Sequence, residues 1–294
     1  MHTIAPDTRT NELMQLNTRD LLNAFDLQHA EPLRVLFGAL ARIPAHRFAR
    51  QLLAFDTLLG REGPPAAGQL LLDQFAQRVT LQETARVPQS GPLLVLANHP
   101  GMVDAMALWV GIGRRDLKVI AAERPLLRAL PHVVDHLVII GDAPAARASA
   151  LRAAAAHLRE GGALLTYPAG KIERDPALHA DAAISLADWS ASTLALARLA
   201  PGTRIVPAAV GGVISATAQR HPLVRHMQQR EKREWAAATL QILIPTLRDT
   251  HTRVMFGTAL TPADMQAPLA AVRAQMHELL AAVRAMGADD TMAR

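Results

Sequence analysis

The chain has 294 residues, which is long enough to bury a core. Of these residues 50% are hydrophobic and 19% are charged, a composition that is too apolar for extensive disorder. A formal net charge of +5 and a pI near 10.5 favour an anionic membrane surface, a phosphate or an acidic carrier protein as partner. Aromatic residues make up only 3%, which argues against nucleic acid, and the absence of cysteine excludes disulfides, thiolate metal sites and a thiol nucleophile.

The first 68 residues predict helices followed by a linker. Residues 1–18 are polar and predict a loose tail, and residues 17–25 carry a short helical pattern. Apolar residues at helical spacing then predict a helical hairpin over residues 32–60, with Pro44 as the break between its two helices. Residues 60–68 are rich in Gly and Pro and predict the linker.

The hairpin over residues 32–60 has two interpretations. It contains three of the six phenylalanines of the chain, with several arginines among them. It is either a helical pair packed on the rest of the protein, or an interfacial anchor. As an anchor, it would place its apolar face in a membrane and its arginines at the headgroups.

From residue 70 onward, predicted strands and helices alternate. After a short helix over 70–78, strands are predicted at 79–83, 93–97, 117–121, 136–140, 163–167, 205–210, 239–244 and 253–256. The clearest helices are predicted at 144–159, 186–199 and 269–286. This alternation predicts an α/β fold, with a mostly parallel central sheet flanked by helices on both faces and the N-terminal helical hairpin beside it. We predict two parts, a helical region with its linker over 1–68 and an α/β domain over 69–294.

A membrane-spanning helix is not expected. Residues 1–20 lack the pattern of a signal peptide, and no apolar stretch approaches the ~18–20 residues that cross a bilayer. The nearest candidate, residues 91–113, contains the polar residues Asn98, His99 and Asp104. We therefore expect a protein that is soluble or lies on a membrane surface.

The strongest chemical signal lies directly after the predicted strand 93–97. His99 follows this buried strand in a turn with Pro100 and Gly101, and Asp104 stands at the start of the next helix. In open α/β sheets, ligands bind beyond the carboxyl ends of the strands. Asp104 could accept a hydrogen bond from one imidazole nitrogen and leave the other free as a base. The alternative for Asp104 is an ordinary helix cap, worth about 1 kcal/mol.

Three sequence blocks resemble the glycerolipid acyltransferase family, the lysophosphatidic acid acyltransferases and their relatives. Asn98 and His99, four further residues and Asp104 match its Asn-His…Asp block. Residues 167–172 (Tyr-Pro-Ala-Gly-Lys-Ile) correspond to its Phe-Pro-Glu-Gly-Thr-Arg turn, and residues 205–210 correspond to its Ile-Val-Pro block. The resemblance covers roughly residues 75–286, in the expected order. It implies that the domain over 69–294 is an acyltransferase catalytic domain.

The match departs from the family at the positions associated with holding a phosphate on the acceptor. The Glu of the second block is Ala169 and its Arg is Ile172, and no arginine follows residues 138–142 until Arg147. Lys171 and Arg174 could substitute electrostatically, or they could be solvated loop charges. On the resemblance, the residues assigned to substrate binding are Asn98, Arg124, Gly170, Lys171, Arg174 and Pro207.

The chemistry that the resemblance implies is direct acyl transfer, an O-acyltransferase reaction similar to that of 1-acylglycerol-3-phosphate acyltransferases. His99 would take the proton from an acceptor hydroxyl, and Asp104 would fix the imidazole tautomer. Backbone N–H groups around Gly170 are candidates for binding the oxyanion. The donor would be acyl-CoA or acyl carrier protein as co-substrate, with no other cofactor. The acceptor would be a lyso-lipid, and the location cytoplasmic, peripheral on the cytoplasmic membrane.

Two further clusters carry weaker signals. His132 and His136 have the spacing of a helical metal pair, but Pro131 precedes them and a strand is predicted from His136, so no metal site is expected. Residues 220–233 are rich in Arg and His, which is typical of a solvated helix face or of a surface that docks an acidic carrier protein or anionic lipid.

Two alternatives to the transferase function remain open on the sequence. One is a catalytically inactive member of the same fold that binds a lipid or a partner. The other is a thioester hydrolase that uses the same His-Asp pair on water.

Overall fold

The structure is a computed structural model that describes residues 6–25, 31–261 and 267–292. Its centre is a seven-stranded sheet in the order β1-β7-β6-β2-β5-β3-β4, in which all neighbours are parallel except the antiparallel pair β6 and β7. The strands are β1 (Arg78–Gln82), β2 (Leu93–Ala97), β3 (Lys118–Ala122), β4 (Leu137–Ile140), β5 (Ala163–Thr166), β6 (Arg204–Gly211) and β7 (His251–Phe256).

Helices cover both faces of this sheet. They are α1 (Pro6–Ala24), α2 (Glu31–Glu62), α3 (Pro64–Phe75), α4 (Met102–Ile112), α5 (Pro125–Arg128), α6 (Pro131–Asp135), α7 (Pro144–Arg159), α8 (Ala195–Leu199), α9 (Ala216–Arg220), α10 (Arg230–Leu243) and α11 (Pro268–Met292). Short 3-10 turns lie at Thr84–Arg86, Ala182–Asp188, Ala191–Leu194 and Pro245–Leu247. The α/β fold predicted from the sequence is confirmed.

The central strand β2 shows why the sheet needs helices on both faces. Successive side chains of a strand point to opposite faces, and all five residues of β2 are buried. Leu93, Val95 and Ala97 join the apolar cluster that includes α3 and α4, whereas Leu94 and Leu96 join the cluster that includes α7 and α11. The continuous apolar run that predicts this strand is therefore the signature of a strand covered on both sides.

Two of the predicted elements differ from the structure. Residues 239–244 are not a strand, because residues up to 243 belong to α10, whose buried positions Ala236, Ala237 and Leu240 follow a helical period. The helix predicted over 186–199 is wrong for most of its length. Trp189 is extended and buried there, so only 3-10 turns form before the short helix α8.

The N-terminal predictions also need correction. Residues 6–18 belong to α1 rather than to a loose tail, and residues 1–5 lie outside the described part of the chain. Pro44 does not break the helix, since α2 runs through it. A proline inside a helix costs ~3 kcal/mol, and the packing of α2 on the core offsets that cost. The linker expected at 60–68 is also wrong, because Gly63 alone separates α2 from α3.

Helix α2 packs on the rest of the fold through its second half. Phe48 meets Phe75 edge to face, and Phe55 stacks on Trp109. Asp56, a buried residue of α2, accepts hydrogen bonds from the backbone N–H of Val133 and from the Arg9 guanidinium. This docking supports the first interpretation of the hairpin for residues 45–59. The division of the chain at residue 68 stays a prediction.

Within residues 6–25, 31–261 and 267–292, no helix is both long enough and apolar enough to cross a bilayer.

Candidate active site

Three neighbouring strands deliver the candidate residues to one edge of the sheet. β6, β2 and β5 are adjacent and parallel, so their carboxyl ends lie side by side. His99 follows β2, Tyr167 follows β5, and Gly212 follows β6. This edge is where ligands bind in open α/β sheets, as the sequence predicts.

His99 and Asp104 form a hydrogen-bonded pair at this edge. His99 Nδ1 lies 2.7 Å from Asp104 Oδ2, and the same carboxylate oxygen accepts the backbone N–H of Gly101 at 3.0 Å. Asp104 is fully buried at the start of α4, while the His99 side chain is 26% exposed. In this arrangement Nδ1 carries the proton and donates it in a hydrogen bond to the carboxylate, so Nε2 is the nitrogen with a free lone pair that can act as a base. The catalytic roles of both residues stay predictions.

Tyr167 completes the surroundings of this pair. Its hydroxyl donates to Asp104 Oδ1 at 3.2 Å, and its ring stacks on His99 with centroids 4.2 Å apart. The pKa of Tyr167 lies well above its usual value because of burial and the nearby Asp104 charge, so the phenol stays a donor near neutral pH. The sequence marks Tyr167 only as a member of a motif, and its contact with Asp104 is missed.

A second buried carboxylate, Glu173, is also missed by the sequence. Its Oε2 accepts the backbone N–H of His99 at 2.9 Å, and its Oε1 accepts the indole N–H of Trp189 at 2.9 Å. Because Glu173 stands in a polar, charged loop sequence, it is indistinguishable there from a solvated residue. No local pattern could have revealed it, since its partner His99 is 74 positions away in the chain.

The electrostatics of the site favour proton transfer near neutral pH. Burial lowers the pKa of His99, but the charge and hydrogen bond of Asp104 and the charge of Glu173 outweigh it, so the net shift is upward. Burial raises the pKa of Glu173 to about 7, against the opposing hydrogen bonds from Trp189 and His99. Groups that titrate near working pH are typical of acid–base sites.

Two of the predicted substrate-binding residues lie inside the fold. The Asn98 amide donates to the Val210 carbonyl and accepts its N–H, both at 2.8 Å, so it fastens the turn after β2 to β6. Pro207 is buried within β6 beside Leu96 and does not reach the edge of the sheet. Asn98 therefore anchors the His99 turn, and the assignment of both residues to substrate binding stays a prediction.

The turn after β5 holds three further predicted residues. Gly170 has a φ of 64°, which favours glycine, and its N–H donates to the Tyr167 carbonyl at 3.0 Å. This N–H is therefore used within the turn, which makes it a poor candidate for the oxyanion. Lys171 and Arg174 follow on the same segment, where Lys171 pairs with the exposed Asp188 at 2.9 Å and Arg174 pairs with Asp181.

Arg124 lies at the same edge, two strands away from His99. It is exposed directly after β3, at the residue that precedes α5. β3 pairs with β5, so Arg124 is separated from the His99 turn by the width of that strand.

Asp175 joins the loops that follow β5 and β6. This fully buried carboxylate accepts backbone N–H groups from Gly212, Val213 and Ile214 at 2.8 to 3.2 Å, and from Ala177 at 2.9 Å. Four amide donors on one side chain hold the two loops in a fixed relation. The loop that carries Glu173 is thereby attached to the end of β6.

The two histidines with metal-like spacing have other partners. His132 Nδ1 faces Asp56 at 3.1 Å, and His136 Nδ1 lies 2.9 Å from the carbonyl oxygen of Leu117. Among the residues that the structure describes, no group of three or more potential ligands is arranged to hold a metal ion.

The match to a protein-family model agrees with the resemblance seen in the sequence. Residues 78–211 match the family model described as Acyltransferase, a segment that contains His99, Asp104, Tyr167 and Glu173. No curated protein sequence matches the chain. Among solved structures, the chain is similar to the 1-acyl-sn-glycerophosphate acyltransferase PlsC from Thermotoga maritima. The sequence identity is 13%, 98% of this chain and 95% of that one are covered, and the TM-score is 0.46.

Proposed function

Because residues 78–211 match the family model described as Acyltransferase, we propose that the protein moves a fatty acyl group from a thioester donor to a hydroxyl of a lyso-lipid or glycerol-phosphate-like acceptor. The donor is acyl-CoA or acyl carrier protein. The observation that carries the proposal is the 2.7 Å contact between His99 Nδ1 and Asp104 Oδ2 at the carboxyl edge of the sheet. This contact leaves Nε2 as the basic nitrogen of a partly exposed imidazole.

The reaction proceeds by direct transfer. Nε2 of His99 takes the proton of the acceptor hydroxyl as its oxygen bonds to the thioester carbonyl carbon. The tetrahedral intermediate collapses with cleavage of the C–S bond, and the departing thiolate receives the proton back from His99. Asp104 holds the imidazole tautomer and stabilises the imidazolium through its hydrogen bond to Nδ1.

Lys171, Arg174 and Arg124 follow β5 and β3 at the edge of the sheet that carries His99, and they are the proposed cations for an acceptor phosphate. Lys171 and Arg174 are paired with exposed carboxylates. Ion pairs on a solvated surface are weak, so an acceptor phosphate can replace the carboxylates of Asp188 and Asp181 as the partners of these cations. We therefore assign both side chains to acceptor binding. Lys171→Ala and Arg174→Ala should raise the KM for a lyso-lipid phosphate several-fold and leave kcat nearly unchanged. An unchanged KM in both variants would show that these cations do not bind the acceptor.

The same loops support attachment to an anionic membrane. Ile172, next to Lys171 in the chain, is 43% exposed. Ile184 is 64% exposed and lies in the 3-10 turn Ala182–Asp188, whose last residue pairs with Lys171. The whole chain carries a net charge of +5. Apolar and basic residues together suit a peripheral protein of the cytoplasmic membrane surface. Flotation with phosphatidylglycerol vesicles should recover the protein, and Ile172→Asp with Ile184→Asp should reduce recovery. Equal recovery of both forms would contradict this assignment.

Substitution of His99 tests the reaction itself. His99→Ala should abolish transfer from acyl-CoA to a lyso-lipid while circular dichroism remains that of the wild type. His277→Ala provides a matched control, because His277 is an exposed histidine of α11. Full activity of His99→Ala would exclude this mechanism.

Acceptor dependence separates the transferase from the thioester hydrolase. A transferase should consume thioester faster when lyso-lipid is added, and the acyl product should appear on the lipid. A rate of thioester consumption that does not change when lyso-lipid is added would indicate hydrolysis. A wild-type protein that binds lyso-lipid without consuming thioester would instead indicate an inactive binding member of the family.

A further inference from the structure

Glu173 forms hydrogen bonds with both backbone groups of His99, its N–H and its carbonyl. Its carboxylate accepts the His99 N–H at 2.9 Å, and its own N–H donates to the His99 carbonyl at 2.7 Å. The other carboxylate oxygen is fixed by the indole of Trp189 at 2.9 Å. These three hydrogen bonds define the position of the His99 backbone relative to the loop after β5.

The charge of Glu173 has an unusual environment. The side chain is 2% exposed, and within the described ranges neither a lysine nor an arginine forms an ion pair with it. A buried carboxylate without a cation is costly unless a positive charge appears nearby. The group that can become positive at this point is the imidazole of His99.

We propose that Glu173 is a positioning residue of the acyl transfer, which fixes the backbone of His99 and stabilises the imidazolium that forms when the acceptor gives up its proton. This inference rests on the function proposed above. Glu173 touches neither the acceptor nor the donor in this role, since both of its oxygens are held by protein donors. Its effect reaches the reaction through the position and the pKa of His99.

The titratable groups that face Glu173 are His99, Asp104 and Tyr167. Burial raises the pKa of Glu173 to about 7, and the charges of Asp104 and Glu173 help to raise the pKa of His99 above its ordinary value. The negative charge of Glu173 contributes to the raised pKa of His99, in addition to the larger effect of Asp104. Removal of this charge should therefore lower the pKa of His99.

The decisive experiment is an NMR titration of His99 in the full-length wild-type protein and in Glu173→Gln. Glutamine keeps the size and an acceptor oxygen but carries no charge. We expect a lower pKa for His99 in this variant, and a parallel shift of the acid limb of kcat/KM to lower pH with a roughly tenfold fall in kcat. A folded variant in which the His99 titration is unmoved would overturn the proposal, because loss of a purely structural contact predicts that result.

Two further variants sharpen this test. Glu160→Gln removes an exposed carboxylate at the end of α7, before the opposite end of β5, and should leave the His99 titration unchanged. Trp189→Phe keeps a buried aromatic ring of smaller size but removes the indole donor to Glu173. It should raise the pKa of Glu173 further and so lower the pKa of His99, as Glu173→Gln does. If Glu173→Gln does not fold, Trp189→Phe decides the question alone, and an unmoved His99 rejects the proposal.

The titration needs no substrate, so the two hypotheses can fail separately. Absence of acyl transfer in the wild-type protein would count against the proposed function. An unchanged His99 pKa in the variants would count against the role of Glu173, whatever the activity.

Discussion

The hydroxyl of Tyr167 donates to Oδ1 of Asp104 at 3.2 Å, and this bond leaves neither oxygen of the carboxylate without a partner. Oδ2 is held by His99 and by the backbone N–H of Gly101. A carboxylate with three donors cannot rotate without losing hydrogen bonds that are costly to leave unmade in a buried site. Asp104 is therefore preorganised to hold one tautomer and one orientation of the His99 ring.

Tyr167→Phe should separate this hydrogen bond from the stacking of the ring on His99. The phenylalanine ring keeps the stacking, while Oδ1 of Asp104 loses its donor. We expect a loss of about 1.5 kcal/mol in the free energy of unfolding, measured by urea denaturation, and a roughly tenfold lower kcat. Tyr167→Ala, which also removes the stacking, should lose more in both measurements. A Phe variant equal to the wild type would show that the hydrogen bond does not contribute.

The contrast between the His99–Asp104 pair and Glu173 shows what the sequence could predict. His99 and Asp104 lie five positions apart in one turn, so their contact is local and follows from the end of a buried strand. Glu173 meets His99 across 74 positions, and Asn98 meets Val210 across 112. Such contacts depend on which strands are neighbours in the sheet, and the order β6-β2-β5 cannot be derived from the composition of the strands.

The errors in the predicted elements have a similar cause. Local pattern predicts the strands well where a strand is fully buried, as for β2 and β5. Residues 239–244 alternate like a strand, yet α10 is helical because tertiary packing selects its buried face. Pro44 predicts a helix break on local grounds, and the packing of α2 on the core overrides it.

The pH dependence of the reaction follows from the pKa of His99. His99, the proposed base, must be neutral to accept a proton, so kcat/KM should fall as the pH drops through a pKa that lies above the usual value for histidine. Asp104→Asn removes the main contribution that opposes burial, so the pKa falls and the acid limb should move to lower pH. The rate should also fall on the order of 10³-fold, because the amide no longer fixes the correct tautomer.

A pH–rate profile of wild type, Asp104→Asn and the control Asp142→Asn measures this effect. Asp142 is exposed after β4, and its substitution should leave the profile in place. An acid limb that moves to higher pH in Asp104→Asn would contradict the assignment of Asp104 as the group that raises the pKa of His99.

Asp175 should contribute strongly to the stability of the fold, because it accepts four backbone hydrogen bonds in a buried position. In Asp175→Asn, one oxygen becomes an NH₂ group that faces backbone N–H donors, so at least one buried amide loses its acceptor. We expect a loss of about 3 kcal/mol in the free energy of unfolding. Asp181→Asn, an exposed carboxylate in the same region, should change the urea midpoint very little. Similar midpoints for the two variants would disprove the role of Asp175 as the link between the loops.

Gly212 and Gly170 allow a matched comparison at the two loops of the site. Both have positive φ, 73° and 64°, so alanine costs about 1 kcal/mol of backbone strain at either position. A Cβ at Gly212 would lie 2.0 Å from the His251 carbonyl oxygen, whereas a Cβ at Gly170 meets nothing within 4 Å. Gly170→Ala should therefore lose about 1 kcal/mol, and Gly212→Ala more than about 3 kcal/mol or its soluble yield. Equal losses in the free energy of unfolding, measured by urea denaturation, would show that the backbone at the end of β6 can shift to accept the Cβ. The loops around His99 would then be less rigid than the contacts of Asp175 and Asn98 indicate.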